Sequence, residues 1–224
     1  MWAAGYTLIL TALNAATITV DVNGGGDFTS IRQAVEVAES GDTILIFPGI
    51  YKGEDNRNIS IEYLSLVIKG QEGAESTIID AEGEGIIFAI YSTGPTGPIQ
   101  FRGLTFRNGS SDRDGGALSM RGWVSVRFEG CFFENNRAEG TGGALWLQNG
   151  VLNLDSCTLR LNTAAMGGAI GQRLGSLGVS SCFFSRNFAL GDGGAIYCGT
   201  SSVTASIKNS AFLSNYARGN GGAV

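Results

Sequence analysis

Histidine is absent from the 224 residues, and proline occurs only three times. Without imidazole the commonest zinc ligand and the usual neutral-pH base are missing, which excludes His-ligated hydrolases and Ser-His or Cys-His nucleophile systems. Any catalysis would rest on carboxylates, Arg, Lys or Tyr. Charge is sparse as well: 15 basic side chains stand against 20 acidic ones, so no basic footprint exists for nucleic acid. No apolar run reaches the roughly 20 residues that a membrane helix needs, and no membrane span is expected within the chain. The four cysteines form no Cys-x-x-Cys pair and no other metal spacing, and nothing in the sequence implies a metal or a cofactor. Glycine, by contrast, is abundant, with 35 residues set among 43% hydrophobic ones. That apolar content can bury a core and argues against a disordered low-complexity chain, so glycine has to serve turns.

Residues 1–16 carry no charged side chain and end in the small pair Ala15 and Ala16, as a secretory signal peptide does. Residues 17–100 read as an N-terminal cap and first coils. An alternating strand over 17–22 leads into a glycine loop over 23–27, and then into apolar Ile31, Ala34, Val35 and Ala38 at helical spacing. Ser30 and Gln33 fit a capping box, and Gly41 supplies the stop. A phosphate cradle is excluded at the loop, because the GxGxxG spacing fails at Thr29 and Asp27 would repel an anion. Residues 42–51 form a buried strand ended by Pro48-Gly49. The series Gly-Gly-Asp-Phe, helix, Gly-Asp-Thr-Ile, Pro-Gly-x-Tyr resembles the N-terminal cap and first coil of pectin-lyase-like right-handed β-helix proteins, including pectinesterases, over residues 20–55. The resemblance implies a fold; no segment matching the pectinesterase catalytic residues follows.

From Phe101 the chain repeats. Gly-Gly-Ala followed by an aliphatic residue begins at Gly115, Gly142, Gly167, Gly193 and Gly221, in steps of 27, 25, 26 and 28 residues. Between these lies a second block, Phe128-x-x-Cys131-x-Phe133-x-x-Asn136, repeated around Cys157 and Asn162, Cys182 and Asn187, and Ser210 and Asn215. A looser copy at Phe101 has its Asn108 one place early. Apolar residues alternate at period two within each copy, giving short strands that cannot bury themselves singly. Laying each coil on the next places like residues above like at roughly 4.8 Å. The expected fold is therefore all-β, a right-handed parallel β-helix, or single-stranded solenoid, with a short N-terminal capping helix. Leucine-rich repeats lack the Gly-Gly-Ala block, and propeller blades need about 40 residues.

The constant residues acquire structural reasons. Asn136, Asn162, Asn187 and Asn215 should form a stacked ladder at a bend, where Asn tolerates left-handed backbone. The pairs Gly115 and Gly116, Gly142 and Gly143, Gly167 and Gly168, and Gly193 and Gly194 should allow positive φ and close backbone approach. Cys131, Cys157 and Cys182 share one inward column, as buried free thiols.

The tandem GGA[ILV] and FxxN motifs over residues 101–224 resemble the polymorphic outer membrane protein repeats of chlamydial surface autotransporters. That resemblance implies export, display at the cell surface or outer membrane, and adhesion, with host or cell-surface glycans or proteins as partners. The chain ends as a fifth repeat begins, and reads as truncated there. Candidate ligand contacts are the outward aromatics Trp146 and Tyr197, and the acids Glu129 and Asp155 in one column on adjacent coils, flanked by Arg127. Asp114 and Asp192 lie three coils apart, roughly 14 Å, too far to cooperate. Arg107, Glu134 and Arg160 should form an exposed ion-pair ladder. The function expected is an adhesin-like or structural surface passenger. The alternative is a polysaccharide-active lyase, hydrolase or esterase whose catalytic residues lie outside this segment.

Overall fold

A computed structural model describes residues 15–92, 97–200 and 202–224. The signal-peptide reading of residues 1–16 therefore falls almost wholly outside the described residues. Every pairing among the described strands is parallel. The chain winds as a right-handed β-solenoid of about 7 turns, the hand that parallel crossovers take.

Each full coil has four faces. The first carries Thr17–Val20, Thr43–Ile46, Val67–Gly70, Ile99–Arg102, the second halves of Leu118–Glu129 and Leu145–Asp155, Gly175–Ser180 and Val203–Lys208. The second runs from Gly49–Tyr51 through Phe132–Glu134 and Thr158–Arg160 to Ala211–Leu213. The third is a file of two-residue strands from Ser110–Ser111 to Tyr216–Ala217. The fourth comprises Ile59–Glu62, Phe88–Ser92, the first halves of the two long strands, Ile170–Gln172 and Ile196–Cys198.

Alternation drives the inward residues into one continuous core. Phe101 stacks on Phe128 with ring centroids 5.0 Å apart, and Phe106 on Phe133, also at 5.0 Å. The two files meet edge to face, so one ring set fills the space between the first and second faces. Cys131, Cys157 and Cys182 are buried free thiols in the expected column. The Cys157 N–H donates to Cys182 Sγ at 3.4 Å, and the Cys182 N–H to Ser210 Oγ at 3.1 Å, so serine continues the file.

The asparagine ladder forms in register. Asn136 Nδ2 donates to Asn162 Oδ1 at 3.0 Å, Asn162 Nδ2 to Asn187 Oδ1 at 3.0 Å, and Asn187 Nδ2 to Asn215 Oδ1 at 2.9 Å. Left-handed backbone, however, belongs to the residue before each one. Asn135, Leu161, Arg186 and Ser214 have φ of 54°, 58°, 53° and 54°. A second left-handed corner precedes the cysteine column at Gly130, Ser156 and Ser181. With the first glycine of each Gly-Gly pair, as at Gly142 and Gly167 with φ of 73° and 63°, these two corners make three left-handed positions in a repeat coil. The early Asn108 takes the left-handed place, at φ 54°, and Gly109 fills the ladder site, where its N–H donates to Asn136 Oδ1 at 2.8 Å. Leu161 is the least suited occupant, since a branched side chain at positive φ costs roughly 1–2 kcal/mol and this one is 47% exposed. Leu161→Asn is expected to stabilise the chain by about 1 kcal/mol, a rise of about 2–4 °C in a thermal melt.

At the N-terminal end, Ile31–Val37 is the capping helix, and it buries Ile31, Ala34 and Val35 against the first coil. The capping box is not formed. Ser30 sits at the N-cap with extended backbone but makes no side-chain cap bond, and the Ile31 N–H donates instead to Asn56 Oδ1 at 2.9 Å. Asn56 lies in the 3-10 turn Glu54–Asn56, brought there by the next coil, so a tertiary cap replaces the local one. The glycine loop is bonded within its own chain. The N–H groups of Asn23 and Gly25 donate to Asp21 at 2.8 and 3.1 Å, so the loop folds around its own carboxylate. Tyr51, from the Pro-Gly-x-Tyr motif, is fully buried, with its hydroxyl 3.0 Å from Val20 O and 2.9 Å from Phe47 O. Burial pushes its phenol above the ordinary value, and the hydroxyl ties the first coil to the second.

Candidate functional site

With the core closed, chemistry is left to the outward columns. On the first face, Arg102, Glu129, Asp155, Ser180 and Lys208 are successive partners, and Glu129 pairs directly with Asp155 as expected. Arg102 Nε lies 3.6 Å from Glu129. Arg127, one column across, reaches both acids, at 4.0 Å from Glu129 and 3.5 Å from Asp155. All four side chains are between 41% and 48% exposed. The arrangement is an arginine-neutralised surface network, in which each pair contributes about 0–1 kcal/mol. Asp114 and Asp192 play matching structural parts. Asp114 Oδ1 accepts the Thr141 N–H at 2.7 Å and Asp192 Oδ1 the Asn220 N–H at 2.6 Å, each fastening the loop of the following coil.

The second face carries Arg107, Glu134 and Arg160 in one column, but Arg107 turns away from Glu134. It pairs with Asp80 of the preceding coil at 2.8 Å, and Glu134 pairs with Arg160 at 2.7 Å. The expected ladder is therefore two separate ion pairs. Asp80, which the repeat pattern does not reach, is the best-bonded carboxylate here. It accepts from Asn108 Nδ2 at 2.8 Å, from the Glu82 N–H at 3.0 Å and from Arg107. Burial opposes its charge, yet these hydrogen bonds and the Arg107 guanidinium outweigh it and hold the carboxyl below the usual range. A lowered native value means that Asp80 stabilises the fold above the unfolded value of about 3.9, and that this contribution fades as pH falls from there through the native value. Asp80→Asn is expected to lower the melting temperature at pH 7 but much less at pH 3, as pH-dependent melts would show.

On the fourth face Ser119, Trp146, Gly171 and Tyr197 are successive partners. Trp146 and Tyr197 are half-buried and two coils apart. The Arg121 guanidinium already covers Trp146, 5.6 Å from its ring centroid. Gly171 separates the two rings, and the place its Cβ would take is occupied by the Thr141 methyl, Cγ2. The rings form no continuous platform. Among the described residues the most exposed aromatic is Trp123, at 67%, just past a register irregularity in the long strand, where period-two alternation is interrupted and assigns no face.

Cys157, Cys182 and Cys198 are not poised for reaction. The neighbouring thiol of Cys131, together with burial, pushes Cys157 up, and that of Cys157, together with burial, does the same to Cys182; burial alone raises Cys198. Among the described residues no group of three or more Cys, Asp or Glu could hold a metal ion, and no helix is long and apolar enough to cross a membrane.

Comparison with known proteins bears on these columns. Residues 130–148 and 181–199 match the Chlamydia polymorphic membrane protein repeat. Each matched segment begins one residue before a column cysteine and takes in the ladder asparagine and the Gly-Gly-Ala block. Among solved structures, a pectin methylesterase from carrot is similar over 90% of this chain and 70% of its own, with a TM-score of 0.48 and 16% identity. A pectin methylesterase from Aspergillus niger is similar over 91% and 76%, with a TM-score of 0.47 and 14% identity. No curated protein matches the chain in sequence. The chain is a right-handed parallel β-helix in which two segments match the Chlamydia polymorphic membrane protein repeat.

Proposed function

We propose that the chain is a surface-displayed β-helix passenger, adhesin-like, whose stiff stack presents its outward columns to host or cell-surface partners. One observation supports this most. The two segments matching the Chlamydia polymorphic membrane protein repeat are coils of the stack itself, so the repeat is the building unit and its constant residues are structural. The name of that family points to the cell surface or outer membrane. The state of Glu129 and Asp155 agrees, since a glycosidase pair needs one carboxyl free to give a proton and one free to attack or activate water. Here both are bridged by Arg127.

The test has two arms. Antibodies raised against the folded chain are expected to label intact source cells, and labelling only after permeabilisation would contradict display. Purified chain incubated with pectin, alginate and related polymers should release no unsaturated ends, reducing ends or methanol. Release that disappears in Glu129→Gln and Asp155→Asn would overturn the adhesin reading.

A further inference from the structure

A cleft of about 280 Å³ opens on the fourth face between the strand that holds Ser119 and Arg121 and the loop that holds Asp112, Arg113 and Asp114; Asn58 and Tyr91 are among its other walls. Two of its groups have unspent hydrogen-bonding capacity. Ser119 is 7% exposed, its side chain points outward with the Trp146 column, and its Oγ has no hydrogen-bond partner. Arg121 Nε is buried and also without a partner. Buried polar atoms are nearly always satisfied, and an orphan costs the full desolvation of the group, so two in one cleft mark a place where a ligand supplies what the fold withholds.

The chemistry of that ligand follows from the walls. The Arg121 guanidinium is held by the Trp146 ring at 5.6 Å, and Tyr91 is its register partner on the preceding coil. A guanidinium held in place by an aromatic ring is suited to planar, bidentate pairing with a carboxylate. Ser119 lies two residues away on the same side of the strand, about 6.7 Å, a span that one pyranose ring covers. Asp112, Asp114 and Asn58 offer acceptors and an amide to ring hydroxyls, and Arg113 sets a second guanidinium beside the two acids. A volume at the lower end of the range for ligand pockets suits a single ring.

We propose that this cleft binds one carboxylate-bearing sugar residue, its carboxylate on Arg121 and a ring hydroxyl on Ser119. The site lies on a different face from Glu129 and Asp155 and deepens the display reading by naming a ligand class; it rests on that reading only for the ligand's source. The test uses the purified full chain and saturation-transfer NMR with calorimetry. Methyl glucuronide and the methyl glycoside of N-acetylneuraminic acid serve as probes, with their methyl esters, methyl glucoside and an Asp-rich peptide as controls. At least one acid should bind, its ester at least tenfold more weakly, and Arg121→Gln and Ser119→Ala should each weaken it at least tenfold. Ser119→Ala removes an unsatisfied hydroxyl, so its melting temperature should hold or rise while affinity falls, a combination that a packing role would not produce. Glu134→Gln, on the second face, should bind as the parent does. Equal binding of acid and ester, binding indifferent to both cleft variants, preference for the peptide, or no binding of either acid at millimolar concentration would overturn the proposal. None of these would alter the labelling of intact cells, so the two readings fail separately.

Discussion

Gly168→Val is expected to leave no folded stack, and Gly168→Ala to lose about 3 kcal/mol or more. Gly168 does not need its glycine for φ; the first glycine of the pair, Gly167, is the one at positive φ, 63°. The obstacle is space. A Cβ on Gly168 would lie 2.3 Å from the carbonyl oxygen of Gly194 on the next coil and 2.6 Å from the backbone nitrogen of Phe188. Both contacts are backbone, so relief requires prying coils apart, and the hydrogen bond from the Gly168 N–H to Gly193 O at 3.1 Å would go with them. The same contact recurs at Gly116, Gly143 and Gly194, at 2.2, 2.1 and 2.0 Å from the equivalent oxygens, which is why the second glycine returns in each repeat coil. Gly130 is the control. Its φ is 57° and nothing lies within 4 Å of its would-be Cβ, while Ser156, Ser181 and Asn209 fill the same corner elsewhere. Gly130→Asn should therefore melt within a few degrees of the parent. Circular dichroism and thermal melts of the variants read these outcomes, and a Gly168→Val chain that melts normally would refute the close-approach explanation.

Asn162→Ala is expected to cost about 3 kcal/mol, the second-largest effect, with Asn215→Ala markedly milder. Asn162 is fully buried and serves four partners. Its Oδ1 accepts the Asn136 N–H and Nδ2, both at 3.0 Å, and its Nδ2 donates to Phe133 O and Asn187 Oδ1, also at 3.0 Å. Truncation leaves buried groups on three neighbouring residues short of a bond, at about 1–3 kcal/mol for each group left fully unsatisfied. Asn215 is only partly buried, so water can replace what its loss removes. Denaturant melts of the two variants measure the gradient; equal losses at both positions would show that the ladder does not act along the stack.

Much of this architecture could be read from period alone. A recurring Gly-Gly-Ala and a recurring asparagine at constant offset require equivalent environments, and only stacking supplies them, so the columns of Asn162, Cys157, Trp146 and Glu129 fell where the repeat places them. Features outside the period were invisible. The left-handed corners pass through Leu161 and Arg186, residues with no preference for that backbone, because the coil above and below fixes the bend. The helix cap comes from Asn56, 25 residues beyond the N–H it serves, and local spacing pointed to Ser30 instead. Asp80 lies before the repeats begin and yet completes the pairing of Arg107, which sequence had given to Glu134. The cleft at Ser119 and Arg121 depends on a loop, a neighbouring coil and two unpaired atoms, none of which leaves a motif.

Registered stacking is tested most directly by the distance between Arg102 and Lys208, which are 106 residues apart in sequence but share one outward column four coils apart. Four rungs of about 4.8 Å place them about 19 Å apart. Spin labels on Arg102→Cys and Lys208→Cys, in a Cys198→Ser background, should give one narrow distribution near 20 Å by double electron–electron resonance. A broad distribution, or one centred beyond about 30 Å, would contradict the stack.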